Sequence, residues 1–566
     1  MAEIVMDSTS ATVSNLATVW ELVAATVPDA DALIHATDAP LVRSWSEFES
    51  RAARLAAHLG ARGVGADSKV AIHLYNGPEY LETTFAAFKR RAVPVNVNYR
   101  YLEHELEYLY DNSDAEAVIF SAEFAPRLDA VRGRLPKLTT YVCVGADDEH
   151  PVPEWADDYE SVIASTDPAT PIDRSGDDLW FLYTGGTTGM PKGVMWPHRS
   201  LLGTTAATFA VVGAPVPSTA EQVVAAARTF HERGKAVRLL PAAPLMHGTS
   251  AITSLAVLSA GGCVVTLPSR SFDGDELCRA VQDHRVTQLT IVGDAFAKPM
   301  LAALEGASKR GEPYDLSSLK VVVSSGVMWS QETKDELLTW CSAVLADTLG
   351  SSEGVGFASS VARAGQPART ARFALGEHAQ VFAEDGHAVV PGSGERGLLA
   401  VGGPIPIGYY KDDAKTAGTF RTFAGRVWSV PGDFATVEED GTIVLLGRGS
   451  ACINTAGEKV YPEEVEEALK THPAVHDANV VGLPDEKWGQ SVTAVVSLAA
   501  TGSDETAVPD ETELPDETEL IAWVKERLAG YKCPKRVVLV DEVQRGPNGK
   551  PDYRWATEVA TRAAAG

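Results

Sequence analysis

Cationic side chains are in short supply: 49 Lys and Arg stand against 76 Asp and Glu, a formal net charge of -27 over 566 residues. So acidic a chain repels nucleic acid and anionic lipid, and neither is expected as a partner. Cysteine is scarce too. The six, at positions 143, 263, 278, 341, 452 and 533, show neither paired spacing nor companion histidines, which leaves a disulfide framework or zinc site without support and fits a reducing cytosol. The opening stretch "MAEIVMDSTSATVSNLATVWEL" has acidic residues where a secretory leader would be basic, and no small-residue cleavage pattern, so a cytoplasmic protein is expected. Long apolar runs are also missing. The one stretch free of formal charge, Pro241 to Ser269, is interrupted by Pro244, His247, Thr249, Ser250 and the Gly261-Gly262 pair, and reads as a loop, a short helix and the strand "CVVTL" rather than a bilayer span. Finally, there is no P-loop at the obvious place. The stretch "YTGGTTGMPKGV", Tyr183 to Val194, is rich in glycine and threonine, but its Lys192 is followed by Gly193 where a P-loop needs a hydroxyl for Mg²⁺. It suits phosphate, held in some other way.

What is present is regular alternation. From Trp45 onward, "SEFESRAARLAAHLGARG" has helical spacing of Phe48, Ala52, Leu55, Ala56 and Leu59 and a Ser46/Glu49 capping box. Strand "KVAIHL", helix Glu79 to Arg90, strand "VPVNV", helix Glu103 to Asp111 and strand "EAVIF" follow with short loops, the pattern of an α/β domain with parallel sheets. The strands "LTIVG" and "KVVVSSG" continue it. Near residue 395 the pattern turns to short strands, with Asp440-Gly441 as a hairpin signal, and this predicts a small β-barrel-like module. A compact α+β pattern follows Arg448. A chain this long exceeds one core, and the expected division is 1–448 for a large N-terminal domain and 449–566 for a small α+β C-terminal domain. The tandem "PDETEL" repeat between Pro509 and Leu520 is acidic and proline-broken, as a solvated loop would be.

Further short motifs occur in a fixed order after the glycine-threonine stretch: "PLMHG" with His247, "SSGVM" at Ser324 to Met328, "LGSSEG" with Ser352 and Glu353, "PGD" with Asp433, "GRGSACIN" with Arg448 and Ser450, and "GPNGK" with Lys550. From about residue 45 to the C-terminus, the chain resembles the adenylate-forming superfamily of acyl-CoA synthetases, luciferases and peptide-synthetase adenylation domains. Within it, "YTGGTTGMPKGVMWPHRSL" and "GRGSACINTAGEKVYPEEVEEAL" look most like actinobacterial acyl-CoA ligases for long-chain or steroid side-chain (C24-type) carboxylates.

The resemblance implies an AMP-forming acid–thiol ligase that takes ATP and CoA as co-substrates and Mg²⁺ as cofactor. A carboxylate attacks the α-phosphorus of ATP, and the thiol of CoA then displaces AMP. Two anions must meet in the first step, so cations and N–H donors have to offset their repulsion. Thr184, Gly185, Gly186, Thr187, Thr188 and Gly189 would cradle the phosphates, with Thr184 and Glu353 as Mg²⁺ ligands, a hard-oxygen pair suited to that ion. Lys192 would stand by the phosphates, although a loop lysine is also an ordinary solvated group. Ser325, Gly326 and Val327 would line the adenine, with Ser352 beside Glu353 among the nucleotide contacts. Asp433 would take the ribose hydroxyls, or by itself close a turn, and Arg448 would add a second ribose or phosphate contact. Lys550 is the expected catalyst of adenylation. His247 reads either as a core histidine or as a gate between the acyl and nucleotide pockets, and His198 as structural. The resemblance further implies that the C-terminal domain rotates about a hinge at Ser450 between half-reactions, with Gly457 beside the pantetheine tunnel.

Some positions depart from the common pattern. Leu349 stands where a tyrosine usually stacks on adenine, Pro431 replaces a threonine, Ser450 an acidic hinge residue and Asn454 a lysine, while Ala456 sits in a tight turn beside Gly457. The hinge and Asn454 changes recur in the steroid and long-chain branch. An amino-acid-activating domain would carry an aspartate where Gly248 follows His247, and only 16 residues come after Lys550, too few for a carrier domain. Fifty-five positions separate Lys192 from His247, which points to a roomy apolar pocket for a large carboxylate. A homodimer is compatible with this reading. An acyl-AMP ligase serving a separate carrier and a non-catalytic nucleotide or acyl binder are the alternatives.

Overall fold

In the computed structural model of the protein, the described residues are 12–184, 190–326, 329–365, 372–448, 453–455, 458–485, 489–499, 515–528, 530–545 and 551–565. They form two compact units. The first comprises residues up to 370 with 376–379 and 401–429; the second comprises 371–375, 380–400 and 430 onward.

The first unit is built on two sheets with parallel centres. One runs, strand by strand, Leu41–Ser44, Asp31–His35, Cys263–Thr266, Arg238–Pro241, Gln288–Ile291, Val321–Ser325, Val344–Ser351, Gly354–Ala362, and is parallel from Asp31–His35 through Val344–Ser351. The other runs Gly408–Tyr409, Lys192–Pro197, Leu179–Thr184, Val93–Asn96, Lys69–His73, Ala115–Ser121, Thr140–Val144, Asp157–Asp158. Helices separate the strands in sequence, as parallel pairing requires. The strands are apolar on both faces because helices cover both: Cys263–Thr266 and Val93–Asn96 are buried at every residue.

The helix Trp45–Ala61 forms where the apolar spacing places it, but its cap lies two residues earlier than Ser46/Glu49. Ser44 is the N-cap: its hydroxyl accepts the Glu47 N–H at 3.2 Å, and Glu47 accepts the Ser44 N–H at 2.8 Å. Glu49, freed from capping, binds the ammonium of buried Lys89 at 2.6 Å, and Glu21 holds the same ammonium at 2.7 Å. A buried lysine needs such partners, since an unpaired ammonium is costly away from water. The charge-free stretch resolves into the helix Gly248–Ser259 and the strand Cys263–Thr266. Among the described residues no helix is long and apolar enough to cross a membrane.

In the second unit, one sheet runs Arg372–Leu375, Thr442–Arg448, Asp433–Val437, Arg396–Val401. Among the described residues it does not return to its first strand, so the expected barrel-like module is an open sheet. The hairpin at Asp440-Gly441 is present. Gly441 takes φ +78, which glycine adopts at little cost, and Asp440 accepts the Thr442 N–H at 3.0 Å. A second sheet, Glu458–Val460, Ile453–Thr455, Gly489–Leu498, Val475–Asp485, with Arg536–Val540 also on Gly489–Leu498, packs helices Pro462–Lys470, Glu517–Lys525 and Tyr553–Ala565. This is the α+β pattern read from the sequence, with one helix more at its end. The first "PDETEL" copy, 509–514, lies outside the described residues; the second, 515–520, forms the cap and first turn of Glu517–Lys525, where Asp516 accepts the Glu519 N–H at 2.9 Å and Leu520 is buried.

Candidate active site

The glycine-threonine stretch is the loop of a hairpin. Thr184 ends the strand Leu179–Thr184 and stands opposite Lys192, which opens the strand Lys192–Pro197. Gly185, Gly186, Thr187, Thr188 and Gly189 lie outside the described residues. The hairpin base is tightly fitted: a Cβ on Gly193 would lie 2.5 Å from the Tyr183 ring, whose hydroxyl donates to Asn112 at 2.7 Å. Only glycine leaves that ring in place. Lys192 forms an ion pair with Asp412, which caps the helix Asp413–Thr419 by accepting the Lys415 N–H at 2.8 Å. The Lys192 ammonium, with the Lys415 N–H, holds the Asp412 carboxyl below its usual range. Lys192 is thus tied to the hairpin's neighbour as well as exposed toward solvent.

Glu353 sits in the turn between Val344–Ser351 and Gly354–Ala362, half-buried. The Tyr409 hydroxyl donates to its Oε1 at 2.6 Å, and the Trp196 indole N–H donates to the Ser352 carbonyl at 3.0 Å. Tyr409 pairs with Val194, and Trp196 lies two residues further along the same strand. One strand, Lys192–Pro197, therefore anchors both ends of the proposed ligand pair: directly opposite Thr184, and through Tyr409 and Trp196 to Glu353 and Ser352. The sequence reading named Glu353 but missed Tyr409, whose signal was only a Gly-Tyr pair in a short strand.

Ser325 ends the strand Val321–Ser325 and is buried; Gly326 turns away at φ +99, a conformation that favours glycine. Val327 is outside the described residues. Leu349, half-buried in the adjacent strand, pairs with Ala358. Beneath it the buried Lys334–Asp347 ion pair, 2.9 Å, stiffens the strand. Burial pushes the Asp347 carboxyl up while Lys334 draws it back down.

His247 is the N-cap of the helix Gly248–Ser259, half-buried, its N–H donating to the Pro244 carbonyl at 3.0 Å. A Cβ on Gly248 would lie 3.0 Å from a Leu182 methyl, so an aspartate in that place would crowd the strand that leads to Thr184. His198, by contrast, is fully buried, its Nδ1 accepting the Leu16 N–H at 3.1 Å, and burial pulls its imidazole down to about 3. It is a neutral core histidine. Two asparagines that the sequence reading passed over hold the loop before His247. Asn76 accepts the Leu245 N–H at 2.7 Å and donates to the Ala243 carbonyl at 3.2 Å; Asn96 donates to the Met246 carbonyl at 2.7 Å. An amide inside the apolar "VPVNV" was the available signal, since a buried carboxamide must find partners.

The segment between Lys192 and His247 forms helices His198–Gly203, Ala206–Ala210 and Ala220–Glu232, and Phe209, Ala226 and Phe230 pack on Ala260 at the end of the His247 helix. In the second unit, Asp433 and Arg448 stand opposite each other across the hairpin. Ser450, Ala456, Gly457 and Lys550 lie outside the described residues. Among the described residues no group of three or more His, Cys, Asp or Glu could hold a metal. A threonine hydroxyl with one carboxylate suits only an ion that fills its shell with water and phosphate oxygens, as Mg²⁺ does.

Two parallel-centred sheets in the first unit, a smaller α+β unit after them and a glycine-threonine hairpin anchored beside a turn glutamate define an adenylate-forming enzyme. The chain belongs to the AMP-binding enzyme family: the family model matches residues 20–410 and the AMP-binding enzyme C-terminal domain model matches 464–550. It is 41% identical over 526 residues, 91% of each chain, to the 3-oxocholest-4-en-26-oate--CoA ligase of Rhodococcus rhodochrous. It is 40% identical, over 96% of each chain, to the medium/long-chain-fatty-acid--CoA/3-oxocholest-4-en-26-oate--CoA ligase of Mycolicibacterium smegmatis. Among solved structures, the anthranilate CoA ligase AuaEII in complex with anthranoyl-AMP superposes with a TM-score of 0.80 at 21% identity, covering 97% of this chain and 98% of that one. The protein is an AMP-forming acid–thiol ligase.

Proposed function

We propose that the protein joins a large apolar carboxylate, a steroid side-chain acid or a medium- to long-chain fatty acid, to CoA in the cytosol. The observation that carries the substrate is the 41% identity over 91% of both chains to a ligase named for such an acid. The apolar cluster of Phe209, Ala226 and Phe230 on Ala260, at the end of the His247 helix, and Gly248 in place of an ammonium-pairing aspartate, support it.

In the first half-reaction a carboxylate oxygen forms a bond to the α-phosphorus and the bond to the bridging oxygen breaks, releasing pyrophosphate. Thr184 and the loop 185–189 bind the departing phosphates, with Lys192 as a supporting cation. Lys550 is the cation assigned to offset the charge on the reacting oxygens. Thr184 and Glu353 would hold Mg²⁺, which would supply neutralisation of the phosphate charge. Tyr409 orients the Glu353 carboxylate, and His247, at the helix start, separates acyl from nucleotide pocket. Ser325, Gly326 and Val327 take the adenine and Ser352 the nucleotide beside Glu353, while Asp433 and Arg448 take the ribose. In the second half-reaction the CoA sulfur bonds to the acyl carbon and AMP leaves. Residues 449–566 act as the lid, turning at Ser450 with Gly457 beside the thiol path.

A cleft in the first unit offers a dock for the nucleotide end of CoA. It is lined by Arg100 and Arg270 with Tyr75 and Tyr99, whose rings lie 4.6 Å apart, on loops that follow strands, and by Arg127 in the helix Ala125–Arg132. Three guanidiniums and a pair of tilted phenol rings suit phosphates attached to a purine, and Glu123 in the same cleft is neutralised by Arg270 at 2.7 Å.

The test is a carboxylate panel from short fatty acids to steroid side-chain acids, with ATP and Mg²⁺, followed by pyrophosphate release and thioester formation. Thioester with the large acids is expected. Pyrophosphate without thioester would assign an acyl-AMP ligase instead, and binding without pyrophosphate for any acid would sink the ligase reading.

A further inference from the structure

We infer that Asn96 is a positioning residue that ties the loop before His247 to the phosphate hairpin, so that one carboxamide sets where the two reactants meet. The inference rests on the proposed roles of His247 and Thr184.

Asn96 is the last residue of Val93–Asn96, which pairs with Leu179–Thr184, and it is 5% exposed. Its Oδ1 accepts the Tyr183 N–H at 2.6 Å, while Nδ2 donates to the Tyr183 carbonyl at 2.9 Å and to the Met246 carbonyl at 2.7 Å. Both amide hydrogens are therefore committed, one to each segment. Tyr183 immediately precedes Thr184, and Met246 immediately precedes His247. A planar, rigid group bridges the residue before the proposed metal ligand and the residue before the proposed gate, 63 positions apart in sequence. Asn76, after the neighbouring strand Lys69–His73, grips the same loop at Ala243 and Leu245 but bonds no residue of the hairpin among the described residues. The two asparagines thus divide the work: Asn76 holds the loop, and Asn96 holds the loop to the hairpin.

A buried asparagine could also serve only to satisfy backbone groups, and the two roles differ in what they do to the reaction. Adenylation requires the carboxylate oxygen and the α-phosphorus to be brought into near-attack contact, and a displacement of about 1 Å can cost on the order of 10²-fold in rate. Thiolysis of an acyl-AMP supplied ready-made does not need that alignment. Aspartate has asparagine's shape but no N–H, so Asn96→Asp can still accept the Tyr183 N–H but sets a carboxylate against the Tyr183 and Met246 carbonyls, which cuts the loop before His247 loose from the hairpin.

The experiment measures both half-reactions for wild type, Asn96→Asp and Asn76→Asp, with thermal unfolding alongside. For Asn96→Asp we expect pyrophosphate formation from carboxylate and ATP to fall about 100-fold, with KM raised for both substrates, and thioester formation from synthetic acyl-AMP to change less than about fivefold. Asn76→Asp should raise KM for the carboxylate alone. If Asn96→Asp does not fold, Asn96→Ser, which removes the carboxamide without adding charge, is read by the same split. Equal loss in both half-reactions, or no loss in either, overturns the positioning role. Wild type that forms no pyrophosphate with any acid overturns the functional reading instead.

Discussion

At the scale of single residues, the chemistry depends on side chains whose positions are set by other side chains. Glu353 is the clearest case, because Tyr409 donates to one of its carboxylate oxygens at 2.6 Å. A hydroxyl-to-carboxylate bond of this kind contributes about 1.5–3 kcal/mol where it is shielded, enough to select one rotamer. Tyr409→Phe should therefore lower kcat/KM for pyrophosphate formation roughly tenfold and raise the Mg²⁺ concentration needed for half-maximal rate. The melting temperature should hardly move, and a variant equal to wild type in Mg²⁺ dependence would remove Tyr409 from this role. Glu353, Thr184 and Asp433 were legible in the sequence because their short motifs carry the resemblance. Tyr409 and the two asparagines were not: their partners lie 56, 87, 150 and 167 to 169 positions away, and a local signal such as an amide in "VPVNV" shows that a partner is needed without naming it.

At the scale of elements, the proposed sites gather on the loops that leave the carboxyl ends of parallel strands, as binding sites do in open α/β sheets generally. Tyr75, Tyr99 and Arg100 follow two adjacent strands of one sheet, and Arg270 follows a strand of the other. If this cleft receives the CoA nucleotide, Arg100→Ala should raise KM for CoA several-fold in thioester formation and leave pyrophosphate formation unchanged. Equal KM values for CoA in variant and wild type would place the CoA nucleotide elsewhere. Arg100 is the appropriate target because it is exposed, whereas Arg127 also bonds the Tyr101 carbonyl at 3.1 Å. Helix and strand periodicity predicted most elements correctly, and the misses have physical causes. The cap fell at Ser44 rather than Ser46 because both offer a glutamate three residues on, and burial of Lys89 claimed Glu49 for itself. Closure of the β-rich module could not be read, because short strands alternate in the same way in open and closed sheets.

At the scale of the whole molecule, the acidic balance makes low pH the natural stress. In the second unit Asp477 meets the Arg545 guanidinium through two bonds of 2.6 Å. Burial alone would raise its carboxyl, but the Arg545 hydrogen bonds and the Lys470 charge outweigh it and bring the pKa to about 2. Because the folded value lies below the unfolded one near 3.8, the pair contributes stability that is fully present above about pH 5 and is lost as pH falls toward 2. At neutral pH this amounts to roughly 2 kcal/mol. Asp477→Asn should accordingly lower the melting temperature of its unit at pH 7, and the gap from wild type should narrow steadily between pH 5 and 2. A gap independent of pH would mean that packing, not the ion pair, is what the substitution disturbs.

The sequence by itself determined the α/β alternation, the acidic character and the ordered motifs, because strand and helix periods and glycine-rich turns are local properties of the chain. The fold decided which distant groups share a task. Parallel pairing carried Asn96 to Tyr183, the strand Lys192–Pro197 joined Thr184's hairpin to Glu353's turn through Tyr409, and an open sheet took the place of a barrel. Those contacts arise only when strands far apart in sequence become neighbours, so no local pattern along the chain could announce them.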